Sequence, residues 1–94
     1  MSTEKPQIEK ENEVDVLTQR EREHEIILYN DDVNTFDHVI NTLVDYCGHT
    51  YEQAEQCAYI VHFSGKCVVK TGSFEELEPI CIKLLEAKLS AEIH

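Results

Sequence analysis

Apolar and polar positions along this chain change their period several times, and each change marks an element. Ile26-Ile27-Leu28-Tyr29 is an unbroken apolar run that the polar cluster Asn30-Asp31-Asp32 stops, which predicts a short strand over 25–30. From Phe36 the period becomes helical: Phe36, Val39, Ile40, Leu43, Val44 and Cys47 fall on one face, with Asn34 or Thr35 available as the cap and Gly48 as a left-handed stop. Thr50 with Gln53 three positions on is a capping-box pattern that opens a second helix through Ala54, Cys57, Ala58, Val61 and His62, ended by Gly65. Lys66 to Thr71 reads as a strand. Ser73 with Glu76 repeats the capping box ahead of Leu77, Ile80, Cys81, Leu84 and Leu85, although Pro79 removes one hydrogen bond inside that helix and predicts a kink or a delayed start. Lys88 to Ile93 closes the pattern as a short strand. The order β-α-α-β-α-β predicts an α+β fold, a three-stranded antiparallel sheet with three helices packed against one face.

The N-terminal quarter does not share this patterning. Residues 1–23 are dominated by Glu, Lys, Gln, Arg and Thr and hold too little apolar surface to offset the entropy of ordering, so they predict a disordered arm ahead of a single domain over 24–94. With 94 residues and 41% apolar content, one modest core is the expected limit. Nineteen acidic against eight basic side chains give a net charge of −11, which argues against nucleic acid or an anionic membrane as partner and favours a cationic group or a basic protein surface. No apolar run approaches the length of a membrane span and the N-terminus lacks the layout of a secretion signal, so a cytoplasmic protein is expected; a monomer is expected as well. The four cysteines, Cys47, Cys57, Cys67 and Cys81, lie singly in apolar contexts and read as small core residues of a reducing compartment.

The junction from Leu28 to Ile40 carries the candidate chemistry. A strand ends in Asn30, Asp31 and Asp32, side chains rich in acceptor oxygens, and an amphipathic helix follows whose Phe36, Val39 and Ile40 supply an apolar wall one turn away. By themselves the three polar residues are ordinary turn chemistry, and His62 beside Val61 is an ordinary core histidine. The oxygens of Asn30, Asp31 and Asp32 beside that apolar wall would nevertheless suit a free α-amino group attached to a bulky side chain. Such an ammonium has three donors and needs directed acceptors, which an amide oxygen and carboxylates provide. Burying a Leu or Phe side chain contributes about 1.5–3 kcal/mol and a hydrogen bond to a charged group about 1.5–3 kcal/mol. A micromolar complex requires about 8 kcal/mol, so both anchors and main-chain contacts to the second residue must act together.

The strand, the Asn30-Asp31-Asp32 loop, two helices with Val61-His62 near the end of the second, an aromatic residue and Gly65, and a terminal β-α-β unit resemble the ClpS family, bacterial adaptors of the ATP-dependent Clp protease. The resemblance spans residues 25 to about 93. It implies a recognin for N-degrons, binding substrates that begin with Phe, Tyr, Trp or Leu and handing them to an AAA+ unfoldase of the ClpA or ClpC type. Asn30, Asp31 and His62 match the family's ligands for the substrate α-amino group, and Asp32 completes the motif. Phe36, Val39, Ala58, Val61 and Leu89 match positions that line the family's side-chain pocket. Asn34-Thr35-Phe36 stands where many members have Thr-Pro-Met, and Ala58 where many have Met, so the resemblance implies a reshaped pocket. Its delivery step implies an N-terminal extension that engages the unfoldase, while the core docks on the unfoldase's N-terminal domain near the start of the third helix, where Glu75 falls; a basic contact of some members falls on Ile80.

Other readings rest on other residues. Cys47, His49, Cys57, His62, Cys67 and Cys81 are possible metal ligands, but no Cys-x-x-Cys pair occurs and no two cysteines lie within four residues, which argues against structural zinc. Nothing places a low-pKa thiol beside a base, and there is no phosphate-binding glycine loop or catalytic carboxylate pair, so a non-catalytic protein with no cofactor is expected. A generic acidic interaction module without a pocket is the remaining alternative.

Overall fold

A computed structural model describes residues 23–94, so the arm expected over 1–23 lies, Glu23 apart, outside the described residues. The elements follow in the order β1 (His24–Tyr29), α1 (Phe36–Cys47), α2 (Tyr51–Ser64), β2 (Lys66–Gly72), α3 (Phe74–Glu86) and β3 (Ser90–Ile93). This is the expected β-α-α-β-α-β arrangement with an antiparallel three-stranded sheet. Its strand order is β2-β1-β3, since the crossover through α3 carries β3 to the free edge of β1.

Local chemistry sets the element ends. Thr35 caps α1, its hydroxyl accepting from the His38 N–H at 3.1 Å. In α2 the cap is reciprocal: Thr50 Oγ1 accepts from Gln53 N at 3.1 Å while Gln53 Oε1 accepts from Thr50 N at 3.0 Å. Ser73 and Glu76 repeat this at the start of α3 with the same two distances. Gly48 and Gly65 end α1 and α2 at φ +72° and +96°, where a side chain would be strained. Pro79 neither delays α3, which begins at Phe74, nor interrupts it. The capping box holds the first turn, and the carbonyl that Pro79 leaves unbonded belongs to exposed Glu75, where water can serve it.

The core lies between the sheet and the helices. Ile26 and Leu28 of β1 alternate inward and meet Leu43 of α1, Ala54 and Ala58 of α2, and Leu77 and Leu84 of α3 in one buried cluster. Val69 joins it through a bulge: Ile26 pairs with Lys70 but Ile27 with Val68, so the extra residue of β2 turns into the core. The only buried polar residue among those described, Thr42, donates its hydroxyl to the His38 carbonyl at 2.7 Å. Among the described residues no helix is long and apolar enough to cross a membrane.

Candidate functional site

Where β1 gives way to α1, the sheet end, the first turn of α1 and the last turns of α2 leave a cavity of about 490 Å³. Its apolar wall comes from Phe36 and Val39 of α1, Ala58 and Val61 of α2, Leu28 of β1 and Leu89 from the segment before β3. Its polar side comes from Asn30, Asp31, Asp32, Asn34 and His62, and the rim includes Tyr29 and Phe63. Every site residue expected from the sequence lies here except three: Thr35, whose hydroxyl is spent on the α1 cap; Ile40, expected in the apolar wall but turned into the buried core one residue past Val39; and Glu75, which is exposed in the first turn of α3.

The cavity is held open by bonds between distant parts of the chain. Asn30 N donates to the Gly65 carbonyl at 2.9 Å, which fixes the loop beside the end of α2 and brings His62 close to Asn30-Asp31-Asp32. Asn34 Nδ2 donates both to Asp31 Oδ2 at 2.8 Å and to the Lys88 carbonyl at 2.9 Å. His38 Nε2 lies 2.7 Å from the Ala87 carbonyl. These two side chains brace the turn after α3, in which Lys88 adopts φ +76°, and so place Leu89, 4% exposed, in the wall.

Asp31 is the organising group of the loop. Its Oδ1 accepts from Val33 N and Asn34 N, both at 2.9 Å, and its Oδ2 from Asn34 Nδ2. Since a carboxylate has about four lone-pair sites, one acceptor position on Oδ2 is left for a ligand. Burial alone pushes this carboxyl up, but the backbone bonds from Asn34 and Val33, the Asn34 amide and the nearby His38 outweigh it and hold it below its ordinary value of 3.8. A depressed folded pKa stabilises the loop fully above about pH 4 and ceases to do so as pH falls through the folded value. Carbon-detected NMR titration of the Asp31 carboxyl is therefore expected to give a midpoint under 3.8; a midpoint above it would mean that the loop bonds do not form in solution. Asn30, Asp32 and His62, all exposed, make no side-chain hydrogen bond with the described residues. Their acceptors are free for a donor from outside.

The arrangement can thus take a molecule with an apolar part and a cationic, donor-rich end. It is poorly suited to nucleophilic catalysis. Cys47 and Cys81 are buried, and burial pushes the Cys47 thiol up to about 11 and the Cys81 thiol upward. Burial, helped by a hydrogen bond with Cys67, raises Cys57 as well. No cysteine lines the cavity, and among the described residues no three His, Cys, Asp or Glu side chains are gathered to hold a metal ion. Three contributors are not evident from the sequence. Leu28 has the pattern of a core residue alone, Tyr29 that of a strand end, and Phe63, the aromatic that follows His62, that of a helix-terminal residue, since nothing local shows that they meet at one opening.

The family model described as ATP-dependent Clp protease adaptor protein ClpS matches residues 19–92. The chain is 35% identical over 68 residues to the ATP-dependent Clp protease adapter protein ClpS of Thermosynechococcus vestitus, an alignment covering 71% of this chain and 72% of that relative. It is 41% identical over 54 residues to the protein of the same description in Synechocystis sp., covering 56% of this chain and 55% of that one. In three dimensions it is similar to Agrobacterium tumefaciens ClpS2 bound to L-phenylalaninamide, with a TM-score of 0.67, 18% identity and coverage of 80% of this chain and 98% of that one.

Proposed function

Because the chain belongs to the ClpS family of adaptors of the ATP-dependent Clp protease, we propose that it recognises N-degrons: it grips the free α-amino group and the bulky first side chain of a substrate and delivers that substrate to the AAA+ unfoldase. The observation that carries the reading is the union of an open apolar cavity with a polar edge whose acceptors, among the described residues, are unspent on Asn30, Asp32 and His62 and only partly spent on Asp31. An ammonium attached to a Phe, Tyr, Trp or Leu side chain supplies both complements. The related ClpS2 structure contains L-phenylalaninamide, which has the same two parts, an α-amino group and a benzyl side chain.

In this proposal Asn30, Asp31, Asp32 and His62 accept from the α-amino group, while Phe36, Val39, Ala58, Val61 and Leu89 receive the side chain. Asn34 and Thr35 set the entrance, Asn34 through its bonds to Asp31 and Lys88 and Thr35 through the α1 cap. Residues 24–94 form the recognition domain, residues 1–23 engage a cytoplasmic unfoldase of the ClpA or ClpC type, and the face around exposed Glu75 docks on its N-terminal domain. The role is one of binding, with no bond made or broken by the chain itself and no cofactor required.

Degradation measured with purified unfoldase and protease tests this. A model protein that begins with Phe should be degraded faster when the chain is added, and the same protein extended by a Met before the Phe should not. Equal stimulation of both, or of neither, would refute the proposal.

A further inference from the structure

The fold leaves two aromatic rings uncovered at the rim of the cavity. Phe63 is 76% exposed and Tyr59 47%, both on α2. They are four residues apart and so share one helix face, and their rings lie within 4° of parallel with centroids 6.2 Å apart. Phe63 also lines the cavity, while Tyr59 sits edge-on against the cavity residue Phe36 at 5.0 Å. His62, between them in sequence, meets Phe63 edge-on at 4.8 Å and Phe36 at 5.4 Å. The rings are thus tied into the same aromatic cluster as the cavity mouth, yet much of their surface is left in water.

An extended peptide alternates its side chains with a rise of about 3.3 Å per residue. When the first side chain points into the cavity, the second points away and the third returns to the same side about 6.6 Å further on. A step of that length from the cavity brings the third side chain within reach of the rings at its mouth, since Phe63 lines the cavity and the Tyr59 ring lies 5.0 Å from that of the cavity residue Phe36. Resting on the reading of the cavity as a first-residue site, we infer that Tyr59 and Phe63 form a second subsite, which takes an apolar or aromatic side chain at the third residue of the substrate. The adaptor then reads a short pattern, bulky-x-apolar, and not the first residue alone. Two aromatic rings suit such a side chain because each offers a large contact area with few torsions to fix on binding.

Titration of the full chain with three peptides differing only at their second and third residues tests this: Phe-Gly-Leu, Phe-Leu-Gly and Phe-Gly-Gly, each with the same soluble tail. Phe-Gly-Leu should bind about five- to tenfold tighter than Phe-Gly-Gly, and Phe-Leu-Gly should resemble Phe-Gly-Gly. The Phe-Gly-Leu preference should fall to within about twofold of unity in Tyr59→Ala and in Phe63→Ala. In the unsubstituted chain, Phe-Gly-Leu should shift the ring resonances of Tyr59 and Phe63 where Phe-Gly-Gly does not. Binding of all three peptides with equal affinity would overturn the subsite and leave the first-residue reading intact, as would a preference that survives both substitutions or rings that do not respond. Failure of every peptide to bind would overturn the first-residue reading itself and leave the subsite without an occupant.

Discussion

Replacing Asp31 with Ala is expected to weaken binding of a Phe-first peptide by about 10- to 150-fold, the equivalent of one hydrogen bond to a charged group. Two losses combine. The ammonium loses the remaining acceptor on Oδ2, and the loop loses the three bonds that Asp31 accepts from Val33 N, Asn34 N and Asn34 Nδ2. Asp31→Asn separates them. Its amide oxygen can still accept the two backbone N–H groups, so the loop keeps those two bonds, while the amide NH2 in place of Oδ2 removes the charge, the bond from Asn34 Nδ2 and the acceptor left for the ligand. If charge matters more than loop shape, the two variants should be comparably weak in calorimetric titration; near-native binding by Asp31→Asn would assign Asp31 to shaping the loop and not to holding the ligand.

The second large effect falls on stability. Leu43→Ala should destabilise the domain by about 2–5 kcal/mol, because a fully buried leucine loses its burial and leaves a void. Leu43 is 0% exposed and lies on α1, the helix that also presents Phe36 and Val39 to the cavity. Against a total stability of about 5–15 kcal/mol, this should lower the Tm by about 10 °C or more for a domain of this size. A thermal melt followed by circular dichroism measures it, and a fall of only a few degrees would mean that the core around α1 relaxes to fill the void.

Much of the fold is legible in the sequence because its ends are written in local chemistry. Thr50 with Gln53 and Ser73 with Glu76 are capping boxes in sequence and reciprocal hydrogen bonds in the structure, and Gly48 and Gly65 stop their helices in the left-handed region. Pro79 is ambiguous in sequence because its cost depends on whether water reaches the orphaned carbonyl, which is a tertiary property. The strand order β2-β1-β3 and the Val69 bulge are not legible either, since both depend on how separate segments meet.

The candidate site divides in the same way. The polar cluster and the helix face can be read from residue types, and the resemblance joins them to Ala58, Val61, His62 and Leu89. The braces cannot be read. Asn34 reaches the Lys88 carbonyl across 54 positions and His38 the Ala87 carbonyl across 49. Nor does sequence reveal that Asp31 spends three acceptor sites on its own loop, which leaves it a single place for a ligand. The stacking of Tyr59 on Phe63 is hidden for the opposite reason: both look like helix residues available for a core, and only the packing shows them left in water.

The central claim is that a substrate's first residue is held at two ends at once, and one titration tests it most directly. A Phe-first peptide and its N-acetylated twin carry the same apolar side chain and differ only at the α-nitrogen, so a difference in affinity reports how that nitrogen is received at the polar edge formed by Asn30, Asp31, Asp32 and His62. The free peptide should bind in the micromolar range or tighter, and acetylation should weaken it by about a hundredfold or more. Equal affinity for the two would contradict the account, because the cavity would then be recognising an apolar side chain with no part played by the chain's beginning.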